Sequence, residues 1–330
     1  MTLPDAIRRF PIRDPRFYQI ATLATLLVYG LIFLDFDITV ARVAVLLVTV
    51  LATQAVCDHL TPLTAPACAE GSTPARRATT VNVRSALISG LSLCLLLRTN
   101  RPELAVLAAI VTIASKFLVR FRGKHLLNPT NGGLVAMLLL TGQVWVSPGQ
   151  WGAAAFFALL MACLGSVVVN RASRSDVTYA FIAFYGALLF GRSLYLGEPL
   201  AIPLHRIESG ALLLFTFFMI SDPKTTPDSR VGRVLFAGLV AFLAWYVQFR
   251  LFRTNGLLWS LAACSPAVPL IDWLLPGDRY TWHSRPATSL VNSLKGAVYE
   301  AVDVRRRARV GRRMVGADGL WLLRLLRRQS

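Results

Sequence analysis

Ser221-Asp222-Pro223-Lys224-Thr225-Thr226-Pro227 closes a short apolar run, 209–221, in a chain built mostly of longer apolar runs. Two prolines, two charged side chains and two threonines at such a place call for exposed backbone and polar partners. Irregular backbone at membrane depth is tolerated only where it is buried in protein or lines a wet cavity. The segment therefore reads as the end of a broken helix rather than as an ordinary loop.

Outward from it, ten apolar runs can be marked: 17–36, 38–57, 83–97, 104–121, 127–146, 151–170, 177–196, 209–221, 231–251 and 256–275. Most are long enough to cross a hydrocarbon core of about 30 Å as a helix. The runs 83–97 and 209–221 are too short. Hydrophobic residues make up 55% of the 330 positions and charged ones 16%, with a mean hydropathy of +0.55, which is a membrane composition. The runs are continuous rather than alternating, which argues against a barrel. The first is too long for the core of a cleavable signal peptide, and no small-x-small site follows it, so it is expected to remain as a membrane helix.

Lys and Arg number 35 against 17 Asp and Glu. With the N-terminus inside, 27 of the 35 fall on the cytoplasmic side and 7 on the other, while Lys116 lies within a run. The positive-inside rule then places both termini in the cytoplasm. For Lys116, near the end of its run, snorkelling to the interface is the expected behaviour. The five cysteines form no CxxC and no Cys/His ligand spacing, so they read as small apolar residues.

The two short runs are the third and the eighth, the third of each group of five. Ser89-Gly90-Leu91 in one is echoed by Ser209-Gly210-Ala211 in the other. Thr130-Asn131-Gly132 is echoed by Thr254-Asn255-Gly256. Units of five spans lie oppositely in a membrane, which is the inverted-repeat architecture of many transporters. The expected fold is all-α and integral to the membrane: an N-terminal segment 1–16, a five-helix repeat over 17–146, a second over 151–275, and a basic tail over 276–330.

The Ser221–Pro227 stretch, followed by Gly232-Arg233-Val234-Leu235-Phe236, resembles the NqrB/RnfD family of membrane electron-transport subunits, in which a T-D-P-V-[ST] motif precedes a similar helix. Ser85-Ala86-Leu87-Ile88-Ser89-Gly90-Leu91, Asn128-Pro129-Thr130 and Pro269-Leu270-Ile271-Asp272 are similar to other segments of that family in the same order. The resemblance covers roughly 80–275. It implies ten helices in two inverted repeats, a bacterial inner-membrane location, flavin, redox partner subunits, quinone, and electron transfer coupled to ion movement.

The resemblance also implies an FMN esterified to a threonine in an S-G-A-T-like loop between the fifth and sixth helices. Here that loop, 143–151, contains no threonine. Covalent FMN is not expected, which leaves a non-covalent flavin (FMN or riboflavin) or a quinone. A compact subgroup of RnfD-like proteins, UnbU, is similar in lacking the loop, and the segment from Asn170 to Pro199 resembles it. The tail is a further departure. Its arginine runs and the segment from Leu320 to Arg328 read as an interfacial amphipathic helix on anionic lipid. No aromatic interleaving or known module points to nucleic acid.

The candidate cofactor-binding residues are Ser89, Gly90, Asn128, Pro129, Thr130, Ser209, Gly210, Asp222, Pro223 and Thr225. For Asp222, an ion ligand, proton carrier or flavin partner stands beside a helix-end carboxylate balanced by Lys224. For Asn128, a helix start that holds an anionic or carbonyl group stands beside a plain N-cap. For Ser89-Gly90 and Ser209-Gly210, close helix packing stands beside a cofactor-facing role. No GxGxxG, no Walker sequence and no cysteine cluster is present, so electrons would have to come from partners. A transporter or a membrane scaffold without redox activity is the alternative function.

Overall fold

The computed structural model describes residues 14–34, 38–64, 82–147 and 154–280. The first 13 residues, loop residues 148–153 and the basic tail beyond 280, with its amphipathic segment, lie outside the described residues.

The first half runs α1 (Pro15–Phe33), α2 (Val40–Thr64), α3 (Val83–Leu96), β1 (Leu97–Thr99), α4 (Pro102–Leu118), β2 (Arg120–Phe121), β3 (Lys124–His125), α5 (Pro129–Thr141) and β4 (Val144–Val146). The second half runs α6 (Ala154–Arg171), α7 (Ser175–Leu196), α8 (Ala201–Ile207), α9 (Gly210–Leu214), a π-helical segment (Phe215–Met219), α10 (Arg230–Phe249), α11 (Gly256–Cys264), a 3₁₀ turn (Ser265–Ala267) and α12 (Val268–Leu274). Helices thus form on all ten apolar runs.

Their ends follow from local chemistry. Asp14 caps α1 by accepting from Arg16 N, with Pro15 in the first turn. Asn128 caps α5 by accepting from Asn131 N, followed by Pro129. Ser229 caps α10 by accepting from Gly232 N. These are the side chains and positions that satisfy free N–H groups at helix starts.

Among the described residues, five helices are long and apolar enough to cross a membrane, and six if the pair 201–207 and 210–219, bent by 50°, counts as one broken span. The run 127–146 is a correction to the expected length. Its helix stops at Thr141, because Gly142 adopts a left-handed φ of +57° and β4 then pairs antiparallel with β1, Leu97 opposite Val146 and Thr99 opposite Val144. The last run also breaks, at Ser265-Pro266, into two short helices. Helix α8 lies between two of the apolar runs, where no helix is expected.

Helix α1 packs on α3, α2 on α3 and α4, and α4 on α5. In the second half α6 packs on α9 and the π segment, α7 on the π segment and α10, and α10 on α11. Contacts of α1 with α6 and of α5 with α11 join the halves. Apolar side chains such as Leu118, Leu140, Tyr195 and Phe252 face outward, as they do in a lipid-facing surface. The interior holds polar groups at the broken helices, including Ser89, Asn128, Thr130, Asn131, Ser221, Thr225 and Thr226.

Candidate functional site

The centre of this polar interior is the meeting of two helix ends. The π segment ends at Met219, and the chain turns at once, Asp222 N donating to Met219 O at 3.3 Å. The Asp222 carbonyl accepts from both Thr225 N and Thr226 N at 3.1 Å, and both threonine hydroxyls donate to the same oxygen. The carboxylate accepts from Lys224 N at 3.0 Å, an Asx turn. Opposite stands the start of α5. Asn128 Oδ1 caps its own helix, while Nδ2 donates to Met219 O at 3.3 Å and to Asp222 Oδ2 at 3.2 Å. One amide therefore caps one broken element and holds the end of the other.

An inner cavity of about 100 Å³ opens beside this junction. Ser85, Ser89, Asn128, Pro129, Thr130, Phe217, Met219, Ser221, Asp222, Pro223 and Lys224 line it, together with Arg16 and His125. Of the ten candidate residues, the structure brings six together here: Ser89, Asn128, Pro129, Thr130, Asp222 and Pro223. The other four stand elsewhere. A Cβ on Gly90 would lie 2.8 Å from Val50 Cγ2, so Gly90 serves the packing of α3 on α2. Ser209 and Gly210 start α9 at the far end of the broken helix. Thr225 is buried and closes the turn through the Asp222 carbonyl.

Lys116 is a second correction. It does not snorkel: it is 3% exposed, and its ammonium donates to Ser85 O at 3.0 Å and Ser85 Oγ at 3.1 Å. Its position in α4 faces the interior, where these two oxygens replace the water that snorkelling would have reached. It thereby fixes a hydroxyl on the cavity wall. Neither His125 nor Ser85 is among the ten candidates, although a lysine inside an apolar run is a visible signal for a polar partner on a facing helix.

The rim of the second half is tied by ion pairs. Arg233 binds the Asp176 carboxylate through Nε at 2.9 Å and Nη2 at 2.5 Å, and donates from Nη1 to Asp228 O at 2.7 Å. Lys124 bridges Asp228 at 3.0 Å and Asp272 at 2.8 Å. Arg174 reaches Thr226 Oγ1 at 3.2 Å and lies over the Tyr280 ring. These links hold the 222–229 turn against the starts of α7 and α10.

Such a construction defines a class: a multi-pass helical membrane protein whose broken helices meet at a polar cavity. Residues 127–280, a little under half of the chain, match the model of the NQR2, RnfD, RnfE family. The match begins at the Asn128 cap rather than near residue 80, where the resemblance in motifs begins. An ion-translocating oxidoreductase complex subunit of Klebsiella pneumoniae, RnfD, is 28% identical over 145 residues, 44% of this chain and 38% of that one. Proteins of the same name from Erwinia tasmaniensis, 28% identical over 148 residues (45% and 38%), and Cronobacter sakazakii, 29% over 153 (46% and 39%), are similar to the same extent. The matched stretch spans less than two fifths of the length of these relatives.

Proposed function

We propose that the protein is an RnfD-like integral membrane subunit of an ion-translocating oxidoreductase complex in the bacterial inner membrane, with redox subunits as its partners. The observation that carries this reading is the extent of the family match. The matched stretch includes the two helix ends that meet at the inner cavity, Asn128 on one side and the Ser221–Pro227 turn on the other, while Ser85 and Ser89 on its wall precede the match.

We read the fold as two inverted five-helix repeats with both termini cytoplasmic. The packing supports the repeat. The pairings of α1 with α3, α2 with α4 and α4 with α5 recur as α6 with α9, α7 with α10 and α10 with α11. The contacts that join the halves, α1 with α6 and α5 with α11, link equivalent elements, as a pseudo-two-fold axis requires.

For the cofactor, we propose a flavin or quinone held without a covalent bond against the Asn128 and Asp222 side chains. The donors and acceptors on the wall suit the polar edge of such a ring: the Asn128 amide, the Ser89 and Thr130 hydroxyls and the Asp222 carboxylate. The volume suits only part of it, since pockets for cofactor-sized ligands run from about 300 Å³ upward and this one is about 100 Å³. When bound, the group would supply the electron-carrying chemistry. The chain's own part is to hold the acceptor and donor edges in place, Lys116 through Ser85 and Asn128 through Asp222.

The small volume favours a second reading, an inverted-repeat transporter or scaffold without redox activity. Purification from native membranes in mild detergent separates the two. Co-purification of subunits carrying flavin or iron–sulfur centres is the expected result. A protein that purifies alone and moves an ion in vesicles without an electron donor supports the second reading.

A further inference from the structure

A second cavity, of about 330 Å³, lies beside the inner one. It is lined by Lys124, His125, Asp228, Asp272, Trp273 and Arg279 among others. His125 alone lines both cavities. It ends β3, opposite Arg120 of β2, and precedes the Asn128 cap by three residues, so its ring is placed by backbone that is fixed at both ends. Its Nδ1 is buried and finds no hydrogen-bond partner among the described residues. A buried imidazole nitrogen left unpaired costs free energy, and ordered water is the usual remedy where a polar cavity has room for it. Both cavities have that room.

We infer that His125 is a gate in the wall between the outer cavity and the Asn128/Asp222 cavity, and that the outer cavity is the vestibule through which water and small anions reach the site. The charge count sets the sign of the solute. Arg122, Lys124 and Arg279 line the outer cavity with Asp228 and Asp272, and Lys224 and Asp222 line the inner one, where Arg16 is held by the Asp14 carboxylate at 2.6 Å. Cationic groups exceed carboxylates in the outer cavity, which opposes entry of a bare cation. Burial and the cations Arg120, Lys116 and Lys224 push the imidazole down to about 4. It is then neutral at neutral pH and adds no charge to the passage. The inference concerns access and stands whatever the inner cavity holds.

Thiol labelling tests it. In a Ser89→Cys variant, the introduced thiol lies on the inner cavity wall, and its reaction with the membrane-impermeant anion 2-sulfonatoethyl methanethiosulfonate is followed by mass spectrometry of that peptide. Adding His125→Ala is expected to raise the rate about tenfold, the effect of removing about 1.4 kcal/mol from a barrier. Adding His125→Trp is expected to lower it by a similar factor. Size-exclusion profiles in detergent identify any variant that fails to fold, and the other substitution then decides. Rates that stay within about twofold of the parent in a folded His125→Ala protein, when tenfold corresponds to about 1.4 kcal/mol, would overturn the gate.

Discussion

The Asn128 side-chain nitrogen donates to the Asp222 carboxylate over 3.2 Å, joining two residues 94 positions apart in the chain. The same side chain caps α5 through its oxygen. The contact thus couples a helix start in the first half to a helix end in the second. Asn128→Asp keeps the capping oxygen but turns a second carboxylate oxygen toward Asp222. We expect a lower melting temperature and, through the double variant with Asp222→Asn, partial recovery. A coupling energy of about 0.5–3 kcal/mol is the range for residues in one hydrogen-bond network. A double-mutant cycle on unfolding in mixed micelles measures it, and strict additivity would count against the coupling.

The Arg233 guanidinium and Asp176 carboxylate have side chains 10% and 13% exposed. Removing Arg233 leaves the largely buried Asp176 carboxylate with only the exposed Arg230, 3.9 Å away. Arg233→Ala is therefore expected to destabilise the second half by about 3 kcal/mol, toward the lower end for broken buried pairs. Replacing both by Met and Leu should cost far less. Denaturant midpoints of the single and double variants distinguish these outcomes.

Helices α4 and α5 meet at Gly133, where a Cβ would lie 1.8 Å from Thr112 Oγ1 and 3.0 Å from Thr112 Cα. The clash includes backbone, so rotation of the threonine does not relieve it. Gly133→Ala is expected to push the two helices apart, at a cost of about 1–3 kcal/mol for overpacking. Thermal melting reads it. An unchanged midpoint would mean that the two helices pack less closely.

His125 gives the fold a pH dependence. Its folded value lies near 4, pushed down mainly by burial, against about 6.5 when unfolded. The unfolded chain takes up the proton first, so stability is full above about 6.5 and declines as pH falls toward 4. Asp222, Arg120, Lys116 and Lys224 also shape this region and stay in place in the control. The melting temperature should fall over that window in the parent and fall less steeply in His125→Gln. Equal slopes would remove His125 as the cause.

Much of this architecture was legible in the chain. Continuous apolar runs fixed the helices because lipid demands that backbone groups pair within a segment. Asn128-Pro129 announced a capped helix start, and the two prolines around Lys224 announced a broken end. What stayed hidden depended on tertiary register. The π segment at Phe215–Met219 has no sequence mark of its own; it lies where the Phe217 side chain fits against Gly165, whose Cβ would stand 2.4 Å from the ring. Ser89 and Gly90 are neighbours in a helix and so face different sides: one lines the cavity and the other packs on Val50. The pairing of β4 with β1, which shortened the fifth helix, joins segments that no local pattern connects.

The central claim is that the cavity held by Asn128 and Asp222 is the cofactor site of a redox subunit. Its most direct test is the ultraviolet–visible spectrum of the protein purified in mild detergent, recorded before and after denaturation and precipitation, for the parent and for Asp222→Asn. The account predicts flavin or quinone absorption that passes to the supernatant on denaturation and a lower occupancy in the folded Asp222→Asn variant. A parent that carries neither group, or colour that stays with the precipitated protein, would contradict it.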